Sequence, residues 1–193
     1  MDTVQNINNH FLLRRFSHPW MPTLLYCPLA ILFIIISISY QQRNVTSILL
    51  FVGLGLFSWT LLEYFLHRFV FHWTQGKEPW RSLASGLHMA HHRSTDAKDL
   101  IIAPPLVSII FGTFVYFLFV VILQSWAQAA LLESGLLMGY VVYEWVHYGA
   151  HRFRSQSRVG KYLQQYHLRH HFKNPSGVFG VTSPLWDYVF RSY

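Results

Sequence analysis

Four stretches of this chain approach or reach the ~20 consecutive apolar residues that an α-helix needs to cross a bilayer. They run from Pro22 to Tyr40, from about Val45 to Leu66, from Leu100 to Leu123 and from about Ala129 to Val146. The first and third carry no charge, the second carries only Glu63, and the fourth carries Glu133 and Glu144. Only 12% of the 193 residues are charged and 52% are hydrophobic, where a soluble domain carries about twice that charge. The expected fold is therefore all-α and integral to a membrane, with four transmembrane helices, the third beginning after Pro104-Pro105. The first run exceeds the h-region of a cleaved signal and has no small-x-small site after it, so it reads as a span. The single cysteine, Cys27, excludes an intrachain disulfide and a CxxC metal site.

The net charge of +7 invites a nucleic-acid reading, but the positions of the bases answer it. Arg14 and Arg15 precede the first run. Arg68, Lys77, Arg81, Arg93 and Lys98 lie at the end of the second run or between the second and third. Arg152, Arg154, Arg158, Lys161, Arg169, Lys173 and Arg191 follow the fourth, and Arg43 alone lies on the other side. By the positive-inside rule both termini and the middle segment are cytoplasmic. The basic excess is topological, with some attraction to anionic lipid heads, and no nucleic-acid partner is expected. The protein is read as a multi-pass membrane protein of a bacterial inner membrane or the endoplasmic reticulum, according to organism.

Ten of the twelve histidines fall in four clusters on that same side: His67 and His72; His88, His91 and His92; His147 and His151; His167, His170 and His171. His10 and His18 stand outside the pattern and read as surface residues. His72, His88, His91 and His92 each map 79 residues on, to His151, His167, His170 and His171, as Pro105-Leu106 map to Pro184-Leu185; His67 to His147 is 80. A membrane hairpin followed by a histidine arm is thus written twice. The expected layout is a single membrane domain, 1–193. It has an N-terminal segment 1–21, hairpins 22–73 and 100–151, and arms 74–99 and 152–193 that form a helical cytoplasmic cap.

On a helix, positions i, i+3 and i+4 share a face, so each HxxHH is expected to point three rings one way and HxxxH two. HRFVFH is looser: five residues turn an α-helix through about 140°, so His72 is expected where the second helix ends or bends. Imidazole suits Zn, Cu, Fe and Ni, and ten rings match two ions at about five each. A lone HxxHH is more often a solvated face. Four clusters on one side, two in register with the other two, favour a two-metal site. Glu63 lies four residues before His67 and Glu144 three before His147, where each can accept a ligand's N–H and fix its tautomer; a polar contact joining helices is nearly as good a reading. Asp96, Asp99 and Asp187 are further candidates for that part. Neutral imidazoles cannot cancel the charge of two divalent ions, which favours iron working on O₂ over structural zinc, a metal without redox chemistry.

The order HX4H, HX2HH, HX3H, HX2HH in a chain with four apolar runs resembles the fatty acid hydroxylase superfamily. The pieces EYFLHRFVFH, HMAHHRSTDAKDLIIAPPL, YEWVHYGAH and YHLRHHFKNPSGVFGVTSPLWDYVF, within about Leu62 to Phe190, are most similar to fatty acid 2-hydroxylases. The resemblance implies a membrane-bound O₂-dependent monooxygenase with two iron ions held by the ten histidines. Zinc is able to occupy the site in purified or crystallised material. No catalytic residue is expected beyond the metal centre and its neighbours Glu63 and Glu144. The implied substrate is a membrane lipid, through fatty acid or sphingolipid 2-hydroxylation. SHPW, from Ser17, is not the haem motif of a fused cytochrome b5, so a separate donor is expected: cytochrome b5-like, ferredoxin-like or a reductase.

Tyr64, Tyr143, Tyr148, Trp186 and Tyr188 are candidates for a lipid-facing wall, although aromatics at membrane edges commonly serve as anchors. Ser176-Gly177 and Gly180 are expected to turn the last segment back over the site. Three other readings remain: a sterol or lipid desaturase or oxidase on the same scaffold, a membrane cytochrome, and a metal transporter. The cytochrome wants paired histidines inside the bilayer. The transporter wants polar residues at mid-membrane, which the first and third runs almost entirely lack.

Overall fold

The computed structural model describes residues 18–41, 44–73 and 80–193. The expectations for His10, Arg14, Arg15, Arg43 and Lys77 lie outside these. Among the described residues the chain is helical, with no strand. In chain order the helices are α1 (Met21–Gln41), α2 (Val45–Phe65) with a π-helical continuation Leu66–Phe71, α3 (Trp80–Arg93), a 3₁₀ turn Lys98–Leu100, α4 (Pro105–Leu123), α5 (Trp126–Arg152), α6 (Arg158–Phe172) and the short α7 (Leu185–Val189).

The chain divides into two compact units. Among the described residues, one comprises Trp20–Thr60 and Pro105–Tyr143; the other comprises Leu61–Pro104 and Glu144–Tyr193. Three helical stretches are long and apolar enough to cross a membrane: Met21–Tyr40, in the first unit, and Val45–Phe71 and Lys98–Leu123, each with residues in both units. Leu24, Ile31, Leu49, Phe114, Phe117, Val121 and Ile122 lie exposed on them, more apolar surface than water tolerates. The fourth apolar run falls in α5, whose 27 residues span about 40 Å. By composition it is not among the three. Its Ala127, Ala129, Ala130, Leu131, Leu136 and Leu137 are buried, so its surroundings are mostly protein.

Small residues let α5 sit there. A Cβ on Gly55 would lie 2.0 Å from the Leu132 carbonyl oxygen, and one on Gly135 would lie 2.0 Å from that of Val52. The backbones of α2 and α5 therefore touch, as small residues permit in membrane helices. Around them Tyr140 packs edge-on to Tyr26 and Trp59, with centroids 5.2 Å apart in each pair. The Ser37 hydroxyl donates to the Ala127 carbonyl at 2.9 Å.

The second unit carries every histidine of the four clusters. Its α6 starts at Ser157, whose hydroxyl oxygen accepts from the Gly160 amide at 3.0 Å, an ordinary N-cap. Gln164, one turn before the HLRHH stretch, donates to the Ala150 and Phe153 carbonyls at 2.9 and 2.6 Å. That ties α6 to the end of α5.

Candidate metal centre

His67 and His72 come together because the helix changes type between them. From Leu66 to Phe71 the backbone is π-helical, and the His72 amide donates to the His67 carbonyl at 3.2 Å. An i→i+5 bond stacks residues five apart, which an α-helix would have splayed. On α5, His147 and His151 are an ordinary i, i+4 pair. Each HxxHH, however, does not point three rings one way. His88 and His92 face one group of ligand atoms, while His91 between them faces another. On an α-helix, neighbours such as His91 and His92 point about 100° apart. A triple can therefore serve two centres at once.

All ten rings converge, in two groups of five. One ring nitrogen each from His67, His72, His88, His92 and His170 lies within 4.8 Å of the rest, and the same holds for His91, His147, His151, His167 and His171. Under the 79-residue repeat, four members of the first group correspond to four of the second: His67 to His147, His72 to His151, His88 to His167 and His92 to His171. The fifth is crossed. His170 of the second arm completes the first group, and His91 of the first arm completes the second.

The rings suit a cation. In the first group Nε2 of His170 is 2.9 Å from that of His72 and 3.2 Å from that of His92, and Nε2 of His88 is 3.0–3.1 Å from those of His67, His72 and His92. In the second group the Nε2 separations given by His91, His147, His151, His167 and His171 are 2.8–3.1 Å. Two nitrogens each about 2.1 Å from one ion and at right angles to each other are about 3 Å apart. His67 donates from Nδ1 to the Phe179 carbonyl at 2.5 Å, and His170 from Nδ1 to the Gly177 carbonyl at 2.8 Å. A carbonyl only accepts, so both rings carry their proton on Nδ1 and turn the Nε2 lone pair inward. Burial, then the neighbouring imidazoles, lowers the pKa of His92 to about 3 and of His91 to about 2. The rings are therefore neutral at physiological pH, which metal ligation requires.

The two carbonyls flank Val178 in a strap between α6 and α7. Val178 is buried and has φ +61°, a conformation that costs a β-branched residue about 1–3 kcal/mol. Two carboxylates hold the strap. Asp187 accepts from the Phe179 and Gly180 amides at 2.9 and 2.7 Å and from the Ser192 hydroxyl at 2.7 Å. Glu63 accepts from the Val181 and Thr182 amides at 2.5 and 2.9 Å and from the Thr182 hydroxyl. A Cβ on Gly180 would meet the Ser183 carbonyl at 2.1 Å, so only glycine fits that turn. Through its bonds Glu63 supports the strap whose Phe179 carbonyl accepts from His67. Glu144, also buried, accepts from the Ala103 amide at 3.2 Å.

Asp96 is exposed and Asp99 half-buried. Tyr64 is neither lipid wall nor anchor. It is buried, stacks on Phe190 at 5.3 Å, bonds the Ser192 hydroxyl at 2.9 Å and accepts from Arg68. Tyr143 packs on Trp59, Tyr148 on Trp145 and Phe153, and Trp186 on Phe190, whereas Tyr188 is exposed. The sequence gives no signal for the strap carbonyls, because every residue carries one.

The family model for fatty acid hydroxylases matches residues 52–192. This chain belongs to the fatty acid hydroxylase family. It is a hydroxylating oxidoreductase. The hydroxylase is 36% identical over 173 residues to the dihydroceramide fatty acyl 2-hydroxylase FAH2 of Arabidopsis thaliana, covering 89% of this chain and 69% of that one. It is 36% identical over 153 residues to the fatty acid 2-hydroxylase of Rattus norvegicus, covering 74% of this chain and 40% of that one. A solved structure described as full-length scs7p with only the hydroxylase domain visible superposes with a TM-score of 0.83 at 31% identity. The match covers 95% of this hydroxylase and 70% of that chain.

Proposed function

We propose that each histidine group holds one iron ion, and that the protein hydroxylates the acyl chain of a membrane lipid at the carbon beside the carbonyl. O₂ is the oxidant and a separate protein donates the electrons. The convergence of ten neutral imidazoles into two groups carries this reading. The relatives named for fatty acid and dihydroceramide 2-hydroxylation supply the lipid and the position. Four spans, with both termini and the histidine arms cytoplasmic, agree with the three apolar helices, the length of α5 and the placing of Lys and Arg.

Bound iron would supply the one-electron chemistry that couples reduction of O₂ to oxidation of a C–H bond. The chain's own part is to hold lone pairs in place and keep water out. His67, His91, His147, His167 and His170 are each buried, which excludes solvent from the centre. His67 and His170 are fixed in rotation and tautomer by the strap, and Glu63 and Asp187 fix the strap. Holding ligands ready before an ion arrives lowers the ordering cost of binding it.

Cells expressing the protein and an active donor, grown under heavy-isotope O₂, test the reading. One labelled oxygen is expected on the acyl carbon beside the carbonyl, read by lipid mass spectrometry. An unchanged lipid profile in those cells would end it.

A further inference from the structure

Apart from the histidines, the first unit has a partly open cavity of about 100 Å³ between α1, α4 and α5. Its polar end is Glu133, which is 2% exposed and whose Oε2 has no hydrogen-bond partner. Nothing in the proposed chemistry uses this carboxyl. An ionisable group at such a position is costly, and where it persists it commonly marks a site. Gly112 faces it: a Cβ there would lie 3.4 Å from Oε1. Tyr26 and Ser108 add hydroxyls, joined to each other at 2.6 Å, and the Ser108 hydroxyl donates a hydrogen bond to the Pro105 carbonyl at 3.2 Å. At the rim Thr113 is exposed and Ile109 is 43% exposed, both on an uncharged helix apolar enough to cross a membrane. The mouth therefore faces the hydrocarbon side.

We propose that this cavity binds the aliphatic hydroxyl of a membrane lipid, paired with the Glu133 carboxyl. A carboxyl group kept from water is cheaper to hold as the neutral acid, which has one O–H to donate and a carbonyl oxygen to accept. An alcohol offers the complementary donor and acceptor, so the two pair reciprocally without burying charge. An ammonium group would require the ionised form. The depth agrees. Glu133 lies seven residues into α5 from Trp126, about 10 Å along the axis. Trp126 packs edge-on to Tyr40 at 4.8 Å, and both are exposed, as aromatics at a membrane interface are. A lipid hydroxyl just below the headgroups reaches Glu133 while its hydrocarbon stays in the bilayer. The site is distinct from the histidine groups, and its test does not depend on the hydroxylation reading.

The test is labelling of Glu133 by a lipid-soluble carbodiimide, which attacks neutral carboxyl groups. The full chain is held in phosphatidylcholine nanodiscs without an electron donor, and the modified peptide is quantified by mass spectrometry. Glu133→Gln identifies the peptide by losing the label. Cholesterol and an N-acylsphingosine are added in separate arms, each beside its O-methyl ether, which cannot donate. At about nine times the dissociation constant, the alcohol is expected to slow labelling about tenfold, and the ether to leave it unchanged. Protection by either alcohol supports the proposal, and the arm that protects names the lipid class the cavity takes. Thr113→Trp, a change at the exposed rim, is expected to block labelling. No labelling of Glu133 in the parent protein, or equal labelling with and without every alcohol, would overturn the proposal.

Discussion

In the first histidine group, two ring N–H groups end on the carbonyls of a strap that Glu63 and Asp187 clamp. In the second, the Nδ1 atoms of His91, His167 and His171 are buried without a hydrogen-bond partner. The repeat writes corresponding ligands into both halves, yet the support around them differs. An imidazole whose far N–H is accepted is oriented and made more basic, and such partners are commonly worth 10–100-fold in metal affinity. Two rings of the first group are therefore held by strap carbonyls, a support that Nδ1 of His91, His167 and His171 does not have. The difference teaches that matching ligands do not by themselves make matching sites.

Ligand deletion breaks the comparison most severely. Alanine at His170 or at His91 is expected to abolish turnover and to cost the metal of one group each. Because the fifth ligands are crossed, His170→Ala with His72→Ala should lose no more metal than either alone. His170→Ala with its neighbour His171→Ala should lose both ions. Metal content by elemental mass spectrometry decides, and the reverse pattern would show the grouping to be wrong.

Next in size comes the strap. Glu63→Gln or Asp187→Asn is expected to weaken retention of one ion about 10–100-fold and to leave the other unchanged. A chelator titration monitored by metal content should therefore change from nearly coincident release to two steps. Equal weakening of both ions would remove the asymmetry.

Acid acts on both groups together and so separates shared burial from the strap. The pKa of His92 is lowered to about 3 and of His91 to about 2, while the unfolded chain titrates near 6.5. Between those values the unfolded state holds more protons than the folded one, so stability falls as pH falls. The melting temperature of metal-free protein is expected to drop from about pH 6.5 downward, and metal-loaded protein to release its ions over the same acid range. A flat melting temperature from pH 7 to 5 would contradict neutral buried rings.

The smallest effect belongs to Tyr64→Phe. It removes the hydroxyl that bonds Ser192 and accepts from Arg68 but keeps the ring stacked on Phe190. A loss of about 1 kcal/mol in unfolding free energy is expected, with metal content unchanged. Loss of metal would give Tyr64 a larger part in supporting the strap.

Helix positions and histidine convergence were legible because apolar run length and ligand spacing are local properties. HxxxH on α5 needs only helix periodicity. HRFVFH was read correctly as a place where the helix must change, but the π turn that aligns His67 with His72 depends on the i→i+5 bond and on what packs round it. The spacing of Glu63 from His67 was legible, but its bonds to the strap were not. Those go to backbone amides more than a hundred residues away, and amides carry no sequence signature. Glu133 stood out only as a charge in an apolar run. The lack of a hydrogen-bond partner for its Oε2, and the cavity in front of it, are products of how α1, α4 and α5 pack.

By itself the sequence determined that the chain is helical, rich in membrane-length apolar runs, and furnished with two sets of imidazoles in register. Periodicity and composition act over one or two turns and survive any arrangement of the helices. Only the tertiary structure decided that His91 and His170 exchange groups, that a strap braces His67 and His170, and that a carboxyl faces an open cavity. Each of these depends on which distant backbone atoms come within hydrogen-bonding distance, and that distance is set by packing across the whole unit.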